Sequence, residues 1–147
     1  MTVAETTFRD VCQRHGIAVT HQRQVLYEVM QGMDGHPSPE EIYAEVKERI
    51  PAVSLATVYK NIHLFVESGI LREVSLHHGS QRVELHEHEH HHLVCSRCKS
   101  IADIDPASLG VRELGLTAGR TLPGGFVAER FSVDVIGVCA RCQALAD

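Results

Sequence analysis

The 147-residue chain contains no Trp, and aromatic residues make up only 5% of it, so its core must be largely aliphatic. No run of about 18 apolar residues occurs, and no membrane-spanning helix is expected. Met1 to Asp10 is polar and charged, without the apolar stretch of a secretory signal, so the expected location is the cytoplasm. Positive charge is also scarce. The formal charge is −5, with eight Lys/Arg against ten Asp/Glu in residues 1–83 and six against nine in residues 84–147. Neither half is basic overall, so nucleic-acid binding would need a local cationic face.

Cysteine is present, and in a pattern. Cys95-Ser96-Arg97-Cys98 and Cys139-Ala140-Arg141-Cys142 are two C-x-x-C knuckles about forty residues apart. Paired knuckles of this kind indicate a four-thiolate structural zinc site, because tetrahedral Zn²⁺ takes four thiolates and so ties two distant segments together. A redox reading of C-x-x-C would need a βαβ context, which the sequence lacks. Without an export signal, thiols and metal are expected rather than disulfides. Cys12 belongs to no motif and falls on the apolar side of the first helix, so it reads as a core residue.

The order of elements suggests an α+β chain of two domains, 1–83 and 84–147. Residues 5–32 read as two helices, with Gly16 ending the first and Thr20 capping the second. Ser38 caps a third helix that begins at Pro39, carries Glu40 and Glu41 in its first turn and stops at Pro51. Ser54 caps a fourth, Leu55 to Ser68, which Gly69 closes; Leu55, Val58, Ile62, Phe65 and Val66 form its apolar face. Residues 70–76 and 82–85 read as strands joined by a loop at 77–81. This is the order of a winged helix-turn-helix, with the fourth helix for recognition and the hairpin as wing. In the second half, strands are expected at 91–95 and 100–104, a helix over 106–116, a loop at 122–125 and a strand over 126–138.

A second group of ligands precedes the first knuckle, in Glu84-Leu85-His86-Glu87-His88-Glu89-His90-His91-His92. On a strand, His90 and His92 project to the same side. Glu84 lies just upstream and Asp103 just downstream of the knuckle, and His36 would reach in from the first domain. Three nitrogens and two carboxylates suit an exchangeable Fe²⁺, Mn²⁺ or Zn²⁺. The competing reading is a solvated polar hairpin edge. A metal-dependent hydrolase is a further alternative, but no activated nucleophile or spare general base accompanies the ligands.

Gly35-His36-Pro37, Ser54-Leu55-Ala56-Thr57-Val58-Tyr59, His90-His91-His92-Leu93-Val94-Cys95-x-x-Cys98 and Gly137-Val138-Cys139-x-x-Cys142, in this order, resemble the ferric uptake regulator family from about Thr7 to Cys142. The resemblance implies a winged-helix DNA-binding domain, a small C-terminal α/β dimerisation domain, and a homodimer that binds palindromic operator DNA when metal-loaded. It implies no enzymatic activity and no small organic substrate. It assigns structural zinc to Cys95, Cys98, Cys139 and Cys142. It assigns regulatory Fe²⁺ or Mn²⁺, with Zn²⁺ able to substitute in vitro, to His36, Glu84, His90, His92 and Asp103. Asp103 is typical of the peroxide-sensing branch, in which His36 and His90 would be the oxidation targets. Glu84 is instead typical of iron sensors, so an iron- or zinc-availability sensor is the alternative. Where many iron sensors place a further His ligand, this chain has Glu129-Arg130-Phe131, and that extra site is expected to be missing or remodelled. Tyr59 and Lys60 match positions that meet the major groove, Arg23 matches a basic position near the DNA backbone, and Thr57 joins them as a candidate contact.

Overall fold

The computed structural model describes residues 6–74, 81–86 and 89–145. The chain divides into two compact units, residues 1–87 and 88–147. This places the boundary four residues beyond the one drawn from sequence, because Arg82–Leu85 is still paired with a strand of the first unit.

The first unit holds four helices and a hairpin: α1 (Phe8–His15), α2 (His21–Gly32), α3 (Pro39–Arg49), α4 (Leu55–Ser68), β1 (Leu71–Val74) and β2 (Arg82–Leu85). Each helix begins at a side chain that accepts one of its unpaired N–H groups. Thr7, Thr20, Ser38 and Ser54 take the N–H of Asp10, Arg23, Glu41 and Thr57 respectively. Gly16 and Gly69 adopt left-handed φ of 71° and 87° to end α1 and α4, a conformation that glycine tolerates without steric cost. The core joins Phe8, Val11 and Cys12 of α1 to Val25, Leu26, Met30, Ile42, Val46, Val58, Ile62 and Phe65, closed by Ile70, Leu71 and Val83. Leu55 departs from the expected apolar face: it is exposed in the first turn of α4, and Asn61 is buried in the middle of the helix instead. Most of the expected hairpin loop lies outside the described residues. Its last member, Gln81, donates from Nε2 to Glu73 Oε1 at 2.7 Å.

The second unit is built on a three-stranded sheet in the order β4-β3-β7, from β3 (His91–Cys95), β4 (Ile101–Ile104) and β7 (Asp134–Gly137). β4 runs antiparallel to β3 and β7 runs parallel to it. The helix expected over 106–116 is only one turn, α5 (Pro106–Leu109), because Gly110 takes φ 66° and ends it as a C-cap. The strand expected over 126–138 is two. β5 (Thr121–Leu122) and β6 (Phe126–Val127) form a small hairpin across Pro123–Gly125, so the expected loop at 122–125 is partly strand, and β7 begins only at Asp134. The short helix α6 (Ala140–Ala144) carries the second knuckle.

Candidate metal centres

The parallel pairing of β3 with β7 brings the knuckles together. Cys95 lies opposite Gly137, and the Ser96 N–H donates to the Gly137 carbonyl at 2.8 Å. The Sγ atoms of Cys95, Cys98, Cys139 and Cys142 all lie within 4.8 Å of one another. Two sulfurs about 2.3 Å from one tetrahedral zinc would be about 3.8 Å apart, and Cys98 Sγ and Cys139 Sγ are 3.8 Å apart. The donor set therefore fits zinc. The backbone favours thiolate at Cys95: the Cys139 N–H points at its Sγ from 3.4 Å, and the pKa is held down to about 5. The Ser100 hydroxyl, 3.1 Å from Cys98 Sγ, lowers that thiol as well. The neighbouring thiols, Cys139 foremost, together with burial push Cys142 up to about 12. Cys12 is buried and desolvation raises its pKa, as suits a core thiol.

Still in the second unit, His92 is 1% exposed and His90 6%, a degree of burial unusual for imidazole on a small domain. Their rings meet edge to face with centroids 5.0 Å apart. His90 Nε2 and His92 Nε2 lie 3.6 and 3.7 Å from the same oxygen, Asp103 Oδ1. These spacings exceed a hydrogen bond. They approach the roughly 3 to 3.7 Å that separates two ligands on one divalent ion. Sheet register produces the arrangement, since Asp103 on β4 and Asp134 on β7 both lie opposite His92. Asp134 Oδ1 is 3.7 Å from His92 Nδ1, on the ring edge away from Asp103. His91, between His90 and His92, is buried. Its Nδ1 accepts the Val133 N–H at 3.1 Å, which ties β3 to the segment leading into β7.

In the first unit, Gly35 turns the chain at φ 79° after α2. The segment that follows is fixed from β2: the Val83 N–H donates to the Pro37 carbonyl at 3.1 Å, and Arg82 Nη1 donates to the His36 carbonyl at 3.3 Å. His36 Nε2 then lies 3.0 Å from Glu84 Oε2, with both side chains 8% exposed. The other oxygen of Glu84 accepts from Arg72 Nε at 3.1 Å and from Arg72 Nη2 at 2.9 Å. Arg72 and Glu84 face each other across the hairpin in register. His86 is exposed in this unit, and His88 lies outside the described residues.

The candidate DNA contacts fall on and near α4. Tyr59 and Lys60 are exposed, and Thr57 is half-buried where its hydroxyl meets Ser54 Oγ at 2.9 Å. The Tyr59 hydroxyl donates to the Glu40 carboxylate, which lowers the Glu40 pKa and raises that of Tyr59. Arg23 is partly committed within the unit, with Nη1 on the Ala18 carbonyl at 2.8 Å and Nε on Asn61 Oδ1 at 3.3 Å. It thereby ties the start of α2 to the middle of α4. Sequence reading passed over Arg72, Asp134 and Asn61. Nothing local marks Arg72, whose pairing with Glu84 depends on the hairpin register, or Asp134, which reaches His92 only through a parallel pairing.

The sequence profile of the ferric uptake regulator family matches residues 14–118. The peroxide-responsive repressor PerR of Staphylococcus aureus (strain Mu50 / ATCC 700699) is 31% identical over 128 residues, 87% of this chain and 84% of that protein. Among solved structures, the Campylobacter jejuni peroxide stress regulator is 28% identical with a TM-score of 0.68, covering 92% of this chain and 98% of its own. The ferric uptake regulator of Pseudomonas aeruginosa with manganese has a TM-score of 0.73, covering 90% and 97%; at 21% identity it speaks for the fold alone.

Proposed function

The chain belongs to the ferric uptake regulator family, and from that premise we propose that it is a metal-dependent transcriptional repressor that senses peroxide through a regulatory Fe(II) or Mn(II) site and has no catalytic activity of its own. In this reading Cys95, Cys98, Cys139 and Cys142 hold structural zinc, while His36, Glu84, His90, His92 and Asp103 share one exchangeable cation. The observation that carries it is the pair of buried imidazoles aimed at a single Asp103 oxygen.

When bound, Fe²⁺ would pass one electron to hydrogen peroxide and so start its cleavage, and Mn²⁺ would supply the same ligation without that reactivity. The chain supplies the rest. His36 and Glu84 come from the unit that carries α4, and His90, His92 and Asp103 from the other. A ligand set drawn from both fixes how two recognition helices are presented to palindromic operator DNA in a homodimer. Moving such an equilibrium from 1:99 to 99:1 takes about 5.5 kcal/mol of differential affinity, modest for five ligands. His36 or His90 would be the ring that takes one oxygen atom from the peroxide, the other leaving as water, and the oxidised ring would no longer hold the cation. Leu93 and Val135, exposed and paired in register on β3 and β7, support a second copy covering the sheet.

The test is operator binding by Fe²⁺-loaded and Mn²⁺-loaded protein before and after hydrogen peroxide. The Fe²⁺ form should lose binding and gain one oxygen on a peptide carrying His36 or His90, while the Mn²⁺ form keeps both its mass and its grip. Equal responses in the two forms would overturn the reading. Glu84 favours a second reading, an iron- or zinc-availability sensor, which predicts binding that follows metal activity and ignores peroxide.

A further inference from the structure

Arg72 lies outside the proposed ligand set, yet it is 7% exposed, and its Nε and Nη2 both donate to one oxygen of Glu84, Oε1. Buried guanidinium is rare unless paired, and its planar fork fixes the partner's orientation as a single ammonium does not. The opposite oxygen, Oε2, is the one that faces His36 Nε2 at 3.0 Å. Arg72 thus holds one oxygen of Glu84 in place, and the other is presented on the side of the imidazole.

We propose that Arg72 is a positioning residue for the regulatory cation: by holding Oε1 of Glu84 with two N–H groups, it makes Glu84 a one-oxygen ligand through Oε2. The inference rests on the metal site proposed above. It adds a specific role for β1, which carries none of the five ligands. Arg72 also answers the extra reach of Glu84. A Glu side chain has one more rotatable bond than Asp, and the guanidinium removes that freedom before the cation arrives, so less conformational entropy is lost on binding. Partners behind a metal ligand commonly govern affinity by about 10- to 100-fold.

The experiment uses the full chain with its structural zinc in place and measures the Mn²⁺ dissociation constant by titration, with the Mn²⁺ electron paramagnetic resonance line shape as a second readout. Arg72→Met should weaken Mn²⁺ binding by about 10- to 100-fold and change the line shape, as Glu84 turns to offer either or both oxygens. Arg72→Lys keeps the charge without the fork and should weaken binding by about 3- to 10-fold. Adding Arg72→Met to Glu84→Gln should cost little beyond Glu84→Gln alone, because Arg72 acts through that carboxylate; a general loss of structure would add in full. Wild-type affinity in Arg72→Lys, or an additive double variant, would overturn the proposal, and the Lys variant decides the matter should the Met variant not fold. His92→Ala separates the two levels. If it binds Mn²⁺ as the wild type does, the metal site itself is misassigned; if it loses Mn²⁺ while Arg72→Lys does not, only the role of Arg72 fails.

Discussion

At the scale of single residues, the chemistry is set by which oxygen or nitrogen a neighbour already occupies. Tyr59 shows this on α4. Its hydroxyl donates to Glu40, so the carboxyl titrates below its ordinary 4.5 in the folded chain. A depressed folded value means that the contact contributes to stability above about pH 4.5 and that the contribution is lost as pH falls through the folded value. Tyr59→Phe should therefore raise the Glu40 pKa toward 4.5, as read from its carboxyl carbon shift by NMR. An unmoved titration would show that the contact does not persist in solution. The grouping of the cysteines, and the shared side of His90 and His92, were legible in the sequence because spacing on a strand or in a knuckle fixes which side chains share a side. Arg72 and Asp134 were not, since an Arg or Asp on a strand gives no sign of its partner until the register is known.

At the scale of elements, the first unit is written in local signals. Ser54, Ser38 and Thr20 each stand immediately before a helix and accept an N–H that the helix itself cannot satisfy, so three helix starts could be read from a few consecutive residues, whereas the first helix, expected within residues 5–32, begins at Phe8 behind the cap Thr7. Ser54→Ala removes the acceptor at the start of α4 and should cost about 1 kcal/mol. That corresponds to a fall of about 4 °C in the melting temperature by differential scanning calorimetry; no change would mean that Thr57 finds another acceptor. The second unit was less legible for the opposite reason. Its elements are only two to five residues long, too short to show a period, and Gly110 and the 128–133 segment interrupt patterns that would otherwise read as a helix and a strand. The strand ends nearest the knuckles were the exception, because the zinc motif itself fixed them.

At the scale of the whole molecule, apolar burial is unequal. The main core belongs to the first unit, whereas the second buries Val94, Val111, Ala128 and two of its cysteines and leaves Leu114, Phe126, Val127 and Leu145 exposed. A unit of about sixty residues with so little core depends on metal or on a partner. Removing zinc with a strong chelator should therefore abolish amide-exchange protection over His91–Ile104 and leave that of α2 and α4 in place. Protection surviving in β3 would show that the sheet stands without its ion. Among the described residues, no helix is long and apolar enough to cross a membrane. The parallel register of His92 with Asp134 joins positions forty-two apart in the chain. Such a pairing must close a long loop before it gains any contact energy, so it forms slowly. During biosynthesis the helical half should thus be finished early, while its companion waits for the last cysteines to emerge and for an ion to clasp them, making cellular zinc supply a determinant of how much mature repressor accumulates.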